Sequence, residues 1–124
     1  RSDERKVQQA SSHDGGRNWK DLPPIELPNH DTSVAVLGLR GGGFVLLHNH
    51  VMEGGPPRSL LRLSVSKDAK SWTPTFDVAT GRPHEEHSYP SVQQVGDELH
   101  VTYTYRRHAI PHHVYRIGYR RAHP

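Results

Sequence analysis

A chain of 124 residues with no cysteine, 16 basic and 13 acidic side chains and a formal charge of +3 has room for one domain. Disulfides, thiolate metal sites and cysteine nucleophiles are excluded, and no run approaches the roughly 18 apolar residues of a membrane-spanning helix. The apolar share, 32%, is thin for an independent globule and fits a surface-rich strand protein or a piece of something larger.

The cationic excess is carried mostly by twelve arginines and suits an anionic ligand. The basic residues are scattered, with no recognition helix and no glycine-flanked aromatic strand motif, so no nucleic-acid partner is expected. The first residues, Arg1 to Lys6, have no apolar core behind them and do not read as a signal peptide.

In chain order, Lys6 to Ser11 and Leu22 to Leu27 read as two strands, the second an outer, poorly paired one because of Pro23-Pro24. Thr32 to Leu37, the Gly41-Gly42-Gly43 turn and Phe44 to His48 read as a hairpin. Leu60 to Ser66 follows, then Thr73 to Val78, which Pro74 confines to an edge or a strand start. The pattern restarts with Tyr89 to Val95, a Gly96-Asp97 turn, Leu99 to Tyr105 with high β propensity, and His113 to Tyr119.

Two signals share one period. Asp14 and Asp68 lie 54 residues apart in similar motifs, and Gly42-Gly43 matches Gly96-Asp97 at the same offset. A repeat of this size, holding about four strands, points to the blade of a β-propeller; a sandwich is the competing architecture. The motifs are Ser12-His13-Asp14-Gly15-Gly16-Arg17-Asn18-Trp19 and the shorter Ser66-Lys67-Asp68-Ala69-Lys70-Ser71-Trp72. Short polar side chains at the start of a tight turn accept backbone N–H bonds. Glycine permits positive φ, and each Trp is expected to fold back over its hairpin and bury a large area. Ser12, Asp14, Gly16, Trp19, Ser66, Asp68 and Trp72 are therefore read as structural.

Ser-x-Asp-x-Gly-x-x-Trp resembles the Asp-box of BNR-repeat proteins, which include the six-bladed sialidases. Asn29, the 41–49 hairpin, Arg58-Ser59-Leu60-Leu61, Glu86-His87-Ser88-Tyr89-Pro90, the 99–107 strand and Ile110 to Val114 follow the order seen near the C-terminal end of bacterial sialidase-like proteins. The resemblance implies an all-β, partial six-bladed propeller of about two blades. Residues 1–28 would end one blade, 29–80 form a complete blade, and 81–124 make most of a closing blade. Neighbouring blades or a homo-oligomer partner would cover the exposed edges. A secreted or periplasmic setting is favoured by the same likeness.

By resemblance the activity, when the missing blades complement the chain, is sialidase-like exo-glycosidic hydrolysis of a terminal sugar, acidic or neutral, and the isolated chain is expected to be inactive; sialidases hold a carboxylated sugar with arginines and use a Tyr–Glu pair as nucleophile. Arginine offers a rigid fork to a carboxylate, and a Tyr nucleophile needs a basic neighbour because its phenol ordinarily ionises near pH 10. Arg58 aligns with the family's third arginine, and Asp31 and Arg106 are further substrate-binding candidates. Glu86, His87 and Tyr89 are the catalytic candidates. His87 stands where the family often has an aromatic residue, and Tyr89, two residues on in an extended strand, is expected on the same face. The family's other arginines and acid Asp have no match in this sequence.

The eleven histidines show no His-Glu-x-x-His pattern. His48 and His50 share a strand face, while His112 and His113 point oppositely. No metal and no cofactor are expected. The expected partner is a glycan or glycoconjugate. Two other functions fit the same residues: a non-catalytic carbohydrate- or protein-binding module, and a structural segment that self-assembles into a ring.

Overall fold

The computed structural model describes residues 6–29, 32–50, 58–81 and 85–118, and every regular element among them is a β-strand. β1 (Lys6–Ser11) and β2 (Lys20–Pro28) form an antiparallel pair. β3 (Ala35–Gly38), β4 (Phe44–Asn49), β5 (Leu60–Ser66) and β6 (Thr73–Thr80) form a four-stranded meander in sequence order. β7 (His87–Val95), β8 (Glu98–Tyr105) and β9 (His112–Arg116) make a three-stranded sheet. Among the described residues no helix is long and apolar enough to cross a membrane.

Prolines set the irregularities. β6 pairs only with β5, and the register slips beside Pro74, because proline has no N–H for the ladder. In β2 the pairing skips from Ile25 to Leu22 across Pro23-Pro24, and the Gln9 amide instead donates to the Pro23 carbonyl at 2.8 Å.

The core lies between sheets, and β4 is covered on both faces. Its Val45 and Leu47 join Leu61, Leu63 and Val78 against Leu99, Val101 and Tyr103 of the third sheet. Leu46, one step out of phase, packs against Val7, Ile25 and Leu27 of the first pair. This double burial turns the run Val45-Leu46-Leu47 apolar throughout rather than alternating. A sandwich would leave one face of each sheet solvated. Three sheets in series, the middle one covered twice, are instead an unclosed β-propeller segment. The 54-residue period appears as a contact as well: the Arg40 N–H donates to Gln94 Oε1 at 2.8 Å, joining the two equivalent hairpins.

Both Asp-boxes sit in the turns between β1 and β2 and between β5 and β6. Asp14 Oδ1 accepts the N–H groups of Arg17 (3.0 Å) and Asn18 (2.9 Å), while Ser12 Oγ accepts that of Gly16 (2.9 Å). Asp68 Oδ1 accepts from Lys70 (2.9 Å) and Ser71 (3.0 Å), and Ser66 Oγ from Ala69 (2.8 Å). These bonds favour the ionised carboxylate. Asp14 is held at about 2, chiefly by the Asn18 backbone and side-chain amides, and Asp68 is lowered chiefly by the Ser71 N–H. The first turn uses Gly16 at φ 90°; the second, lacking its glycine pair, bends through Ala69 at φ 60°.

The two tryptophans differ, which corrects one expectation. Trp72 packs at the edge of the cluster around Leu46. Trp19 donates Nε1–H to the Gly16 carbonyl at 3.0 Å but stays 66% exposed. Among the described residues the first pair offers it only its own turn, so no neighbouring side chains close over the indole.

Candidate functional site

In an antiparallel meander alternate turns fall at the same end. The β4–β5, β6–β7 and β8–β9 connections therefore share one end, opposite the Asp-boxes. Arg58 precedes β5, Glu85 and Glu86 precede β7, and Arg106 and Arg107 follow β8. Backbone bonds tie these connections together: His87 N–H donates to the Arg58 carbonyl (2.7 Å), and Arg106 N–H donates to that of Glu86 (2.9 Å).

This brings two guanidinium groups onto one carboxylate. Arg107 reaches Glu86 through Nε (3.2 Å), and Arg58 Nη1 lies 3.8 Å from the same Oε2. The Arg58 guanidinium also sits over the Tyr89 ring, 5.4 Å from its centroid, a cation–π geometry. Arg58, Arg107 and Glu86 by themselves sum to +1, and a guanidinium held in this way can pair with a carboxylate; the Glu85 carboxylate, bonded to Tyr105, lies beside His87. Arg58 is mostly shielded, its side chain 18% exposed, so the pairing is less screened than at an open surface.

The backbone is strained at the same place. Tyr89 (φ 53°), Arg106 (49°) and Arg107 (62°) all adopt the left-handed region without being glycine. Such residues cost on the order of 1 kcal/mol or more each and concentrate at functional sites. For Tyr89 this overturns the expectation that it shares a face with His87. The register shifts between Ser88 and Ser91, the alternation breaks, and Tyr89 is 51% exposed while His87 is 4% exposed.

His87 lies beneath the cluster. Its ring stacks on Tyr105 (centroids 5.4 Å apart) and meets Tyr103 edge-on (5.8 Å). Nδ1 lies 3.1 Å from the Ser59 carbonyl; a carbonyl only accepts, so Nδ1 carries the proton. A Cβ on Gly81 would come within 2.8 Å of His87 Cε1 and 2.9 Å of Glu85 Oε2, so glycine is what allows the chain to pass this close. Tyr105 donates its hydroxyl to Glu85 (3.3 Å).

A buried polar spine supports the floor. Asn49, fully buried at the end of β4, donates Nδ2–H to the carbonyls of His87 (2.8 Å) and Leu60 (3.1 Å). Its own N–H donates to Asn29 Oδ1 (3.0 Å). Next to it, His48 bridges Pro28 O (Nδ1, 2.9 Å) and Ser64 Oγ (Nε2, 2.8 Å). Burial lowers its pKa to about 4, with Coulombic repulsion from His50 and Arg62 acting in the same direction and the Pro28 bond opposing. The ring is thus neutral, and both its nitrogens are occupied.

Of the residues singled out from the sequence, the structure brings Arg58, Glu86 and Tyr89 together and sets His87 underneath. Arg106 joins through its main chain, whereas Arg107 supplies the guanidinium. Asp31 lies outside the described residues. Sequence reasoning passed over Arg107 and Asn49; the one legible sign of Asn49 was a polar residue ending an apolar strand. Arg62, on β5 four residues after Arg58, is taken up by Asp77 (2.8 Å) on the outer edge. A groove of about 690 Å³ lies at the opposite end between Leu39, Phe44, Val65, Asp68 and Ile117. It is mainly apolar and at the other end from Arg58 and Arg107, so their end better suits an anion. Among the described residues no group of three or more His, Asp or Glu side chains is arranged to hold a metal ion.

Residues 1–101 match the family model described as a BNR repeat-like domain. Neither a curated protein nor a solved structure matches the chain.

Proposed function

The chain belongs to the BNR repeat-like family, and on that premise we propose that it supplies part of the sugar-binding crevice of a sialidase-like glycosidase. Residues 1–28 are read as the end of one blade, 29–80 as a complete blade and 81–124 as most of another, the rest of the ring being other blades or copies of the chain. The observation that carries the reading is Arg58: a shielded guanidinium, steadied by Glu86 and the Tyr89 ring, at the end of the sheets where the strained residues gather. Its role is to bind the carboxylate of a terminal acidic sugar, with Arg107 fixing Glu86. Exo-glycosidic hydrolysis then depends on Tyr89, whose phenol is exposed beside Arg58, and on groups from other blades.

A second reading, a glycan-binding module without catalysis, is favoured by His87. It occupies the position where the family often has an aromatic residue, yet it is buried and its Nδ1 is committed to Ser59. Titration of the chain with a sialyl-lactose and with lactose tests the shared part of both readings. The sialylated sugar alone is expected to bind, with Arg58→Ala weakening it at least about tenfold. Equal binding of both sugars, or an unaffected Arg58→Ala, rejects a carboxylate site here. Turnover of a fluorogenic sialoside, lost in Tyr89→Phe, selects hydrolysis over binding alone.

A further inference from the structure

We propose that His100 and His112 form a binding site for a divalent transition-metal ion of tetragonal preference, Cu(II) ahead of Ni(II). The two residues lie on neighbouring strands. His100 pairs with Val114 and Thr102 with His112, so the two imidazoles are diagonal neighbours on one face of the β7–β8–β9 sheet. His100 Nδ1 and His112 Nε2 stand 2.9 Å apart, with the rings tilted by 35°. Two metal–nitrogen bonds of about 2.05 Å at a right angle place their donors about 2.9 Å apart, against about 3.3 Å for a tetrahedral angle. The 2.9 Å separation is that of a hydrogen bond between the rings, and it equals the cis spacing of a square-planar or tetragonal ion once the two rings turn so that both lone pairs face one point; Cu(II) heads the divalent affinity order for imidazole.

The surroundings orient the donors. Glu98 Oε1 lies 3.6 Å from His100 Nε2, a buried atom with no hydrogen-bond partner. At 3.6 Å this is an electrostatic contact rather than a hydrogen bond; the carboxylate's charge favours the proton on Nε2 and so leaves the Nδ1 lone pair turned to His112. Without metal, His112 Nε2–H donates to that lone pair. On binding, His112 moves this proton to its own Nδ1 through solvent, which reaches it because the residue is exposed. Both facing nitrogens then offer lone pairs, and no net proton is released. Arg116, on the same face, is engaged with Asp97 at 3.8 Å rather than crowding the pair. Val95 and Val114 on this face are exposed, so water can fill the remaining coordination positions. The site shares no residue with the arginine cluster and does not rest on the glycosidase reading.

The test is addition of one equivalent of Cu(II) to the full chain. Paramagnetic broadening in a two-dimensional amide spectrum should centre on residues 100, 102, 112 and 114, and the electron paramagnetic resonance spectrum should show two equatorial imidazole nitrogens. His112→Gln should weaken Cu(II) binding at least about tenfold, and Glu98→Gln about tenfold through the lost orientation of His100. His13→Gln should leave it unchanged. Broadening centred on other histidines or on the N-terminus, or unchanged affinity in His112→Gln, overturns the proposal. Should His112→Gln fail to fold, the broadening map of the unsubstituted chain decides alone.

Discussion

Acidification should destabilise this protein through His48. The imidazole is fully buried between the first pair and the four-stranded sheet, and its pKa falls from 6.5 to about 4, chiefly because burial penalises the charged form. A folded-state pKa below the unfolded one means that the unfolded chain takes the proton first. Stability is therefore intact above about pH 6.5, declines as the pH falls, and levels off below about pH 4. For that shift, linkage gives a loss of about 3 kcal/mol between pH 7 and pH 4, a large share of the roughly 5–15 kcal/mol typical of a domain. Urea unfolding at half-unit pH steps measures it. His48→Gln removes the titration while keeping a polar side chain, so its stability should be lower at pH 7 but nearly flat over the same window. His50, also lowered by burial, adds a smaller loss of the same sign. Parallel pH profiles for the two proteins would refute the reasoning, since the slope would then arise elsewhere.

Asn49→Ala should cost about 2–4 kcal/mol, because it leaves the carbonyls of His87 and Leu60 without their amide donor in a buried site; a lower urea midpoint with an unchanged slope checks it. Ala69→Gly should raise stability by up to about 1 kcal/mol by relieving the positive φ, in contrast to the usual cost of glycine in a strand protein; calorimetry reads this as a higher Tm. The Asp14 carboxyl should titrate at about 2 in a carbon-detected NMR experiment, and Ser12→Ala should move the midpoint toward 3.8. Its folded pKa is depressed, so the stability it contributes is present above pH 3.8 and lost as the pH falls through about 2.

Much of the architecture was legible because it is written locally. Period-two runs, prolines at the edges and two motifs 54 residues apart specify strands, turns and the repeat without reference to distant contacts. The strand limits moved by a few residues: the first strand of the middle sheet begins at Ala35 rather than Thr32, and that of the third at His87 rather than Tyr89. The site was legible only in part. Arg58 and Glu86 stood out as chemistry-bearing residues beside strand starts, but nothing in their 28-residue separation indicates an ion pair. Arg106 and Arg107 are adjacent and chemically identical; only the left-handed turn after β8 decides which guanidinium meets Glu86. The face of Tyr89 failed to follow from alternation because a bulge resets the phase; its local sign is Pro90, which has no N–H for the ladder and lies inside the shift.

By itself, then, the sequence determined the strand content, the repeat and the Asp-box turns, all of which depend on interactions within a few residues. Tertiary structure decided which faces were buried, why Trp72 is covered while Trp19 is not, and which charges converge at the arginine end. Those outcomes depend on sheets packing against one another, and burial and long-range pairing are properties of the assembled sheets rather than of any one segment.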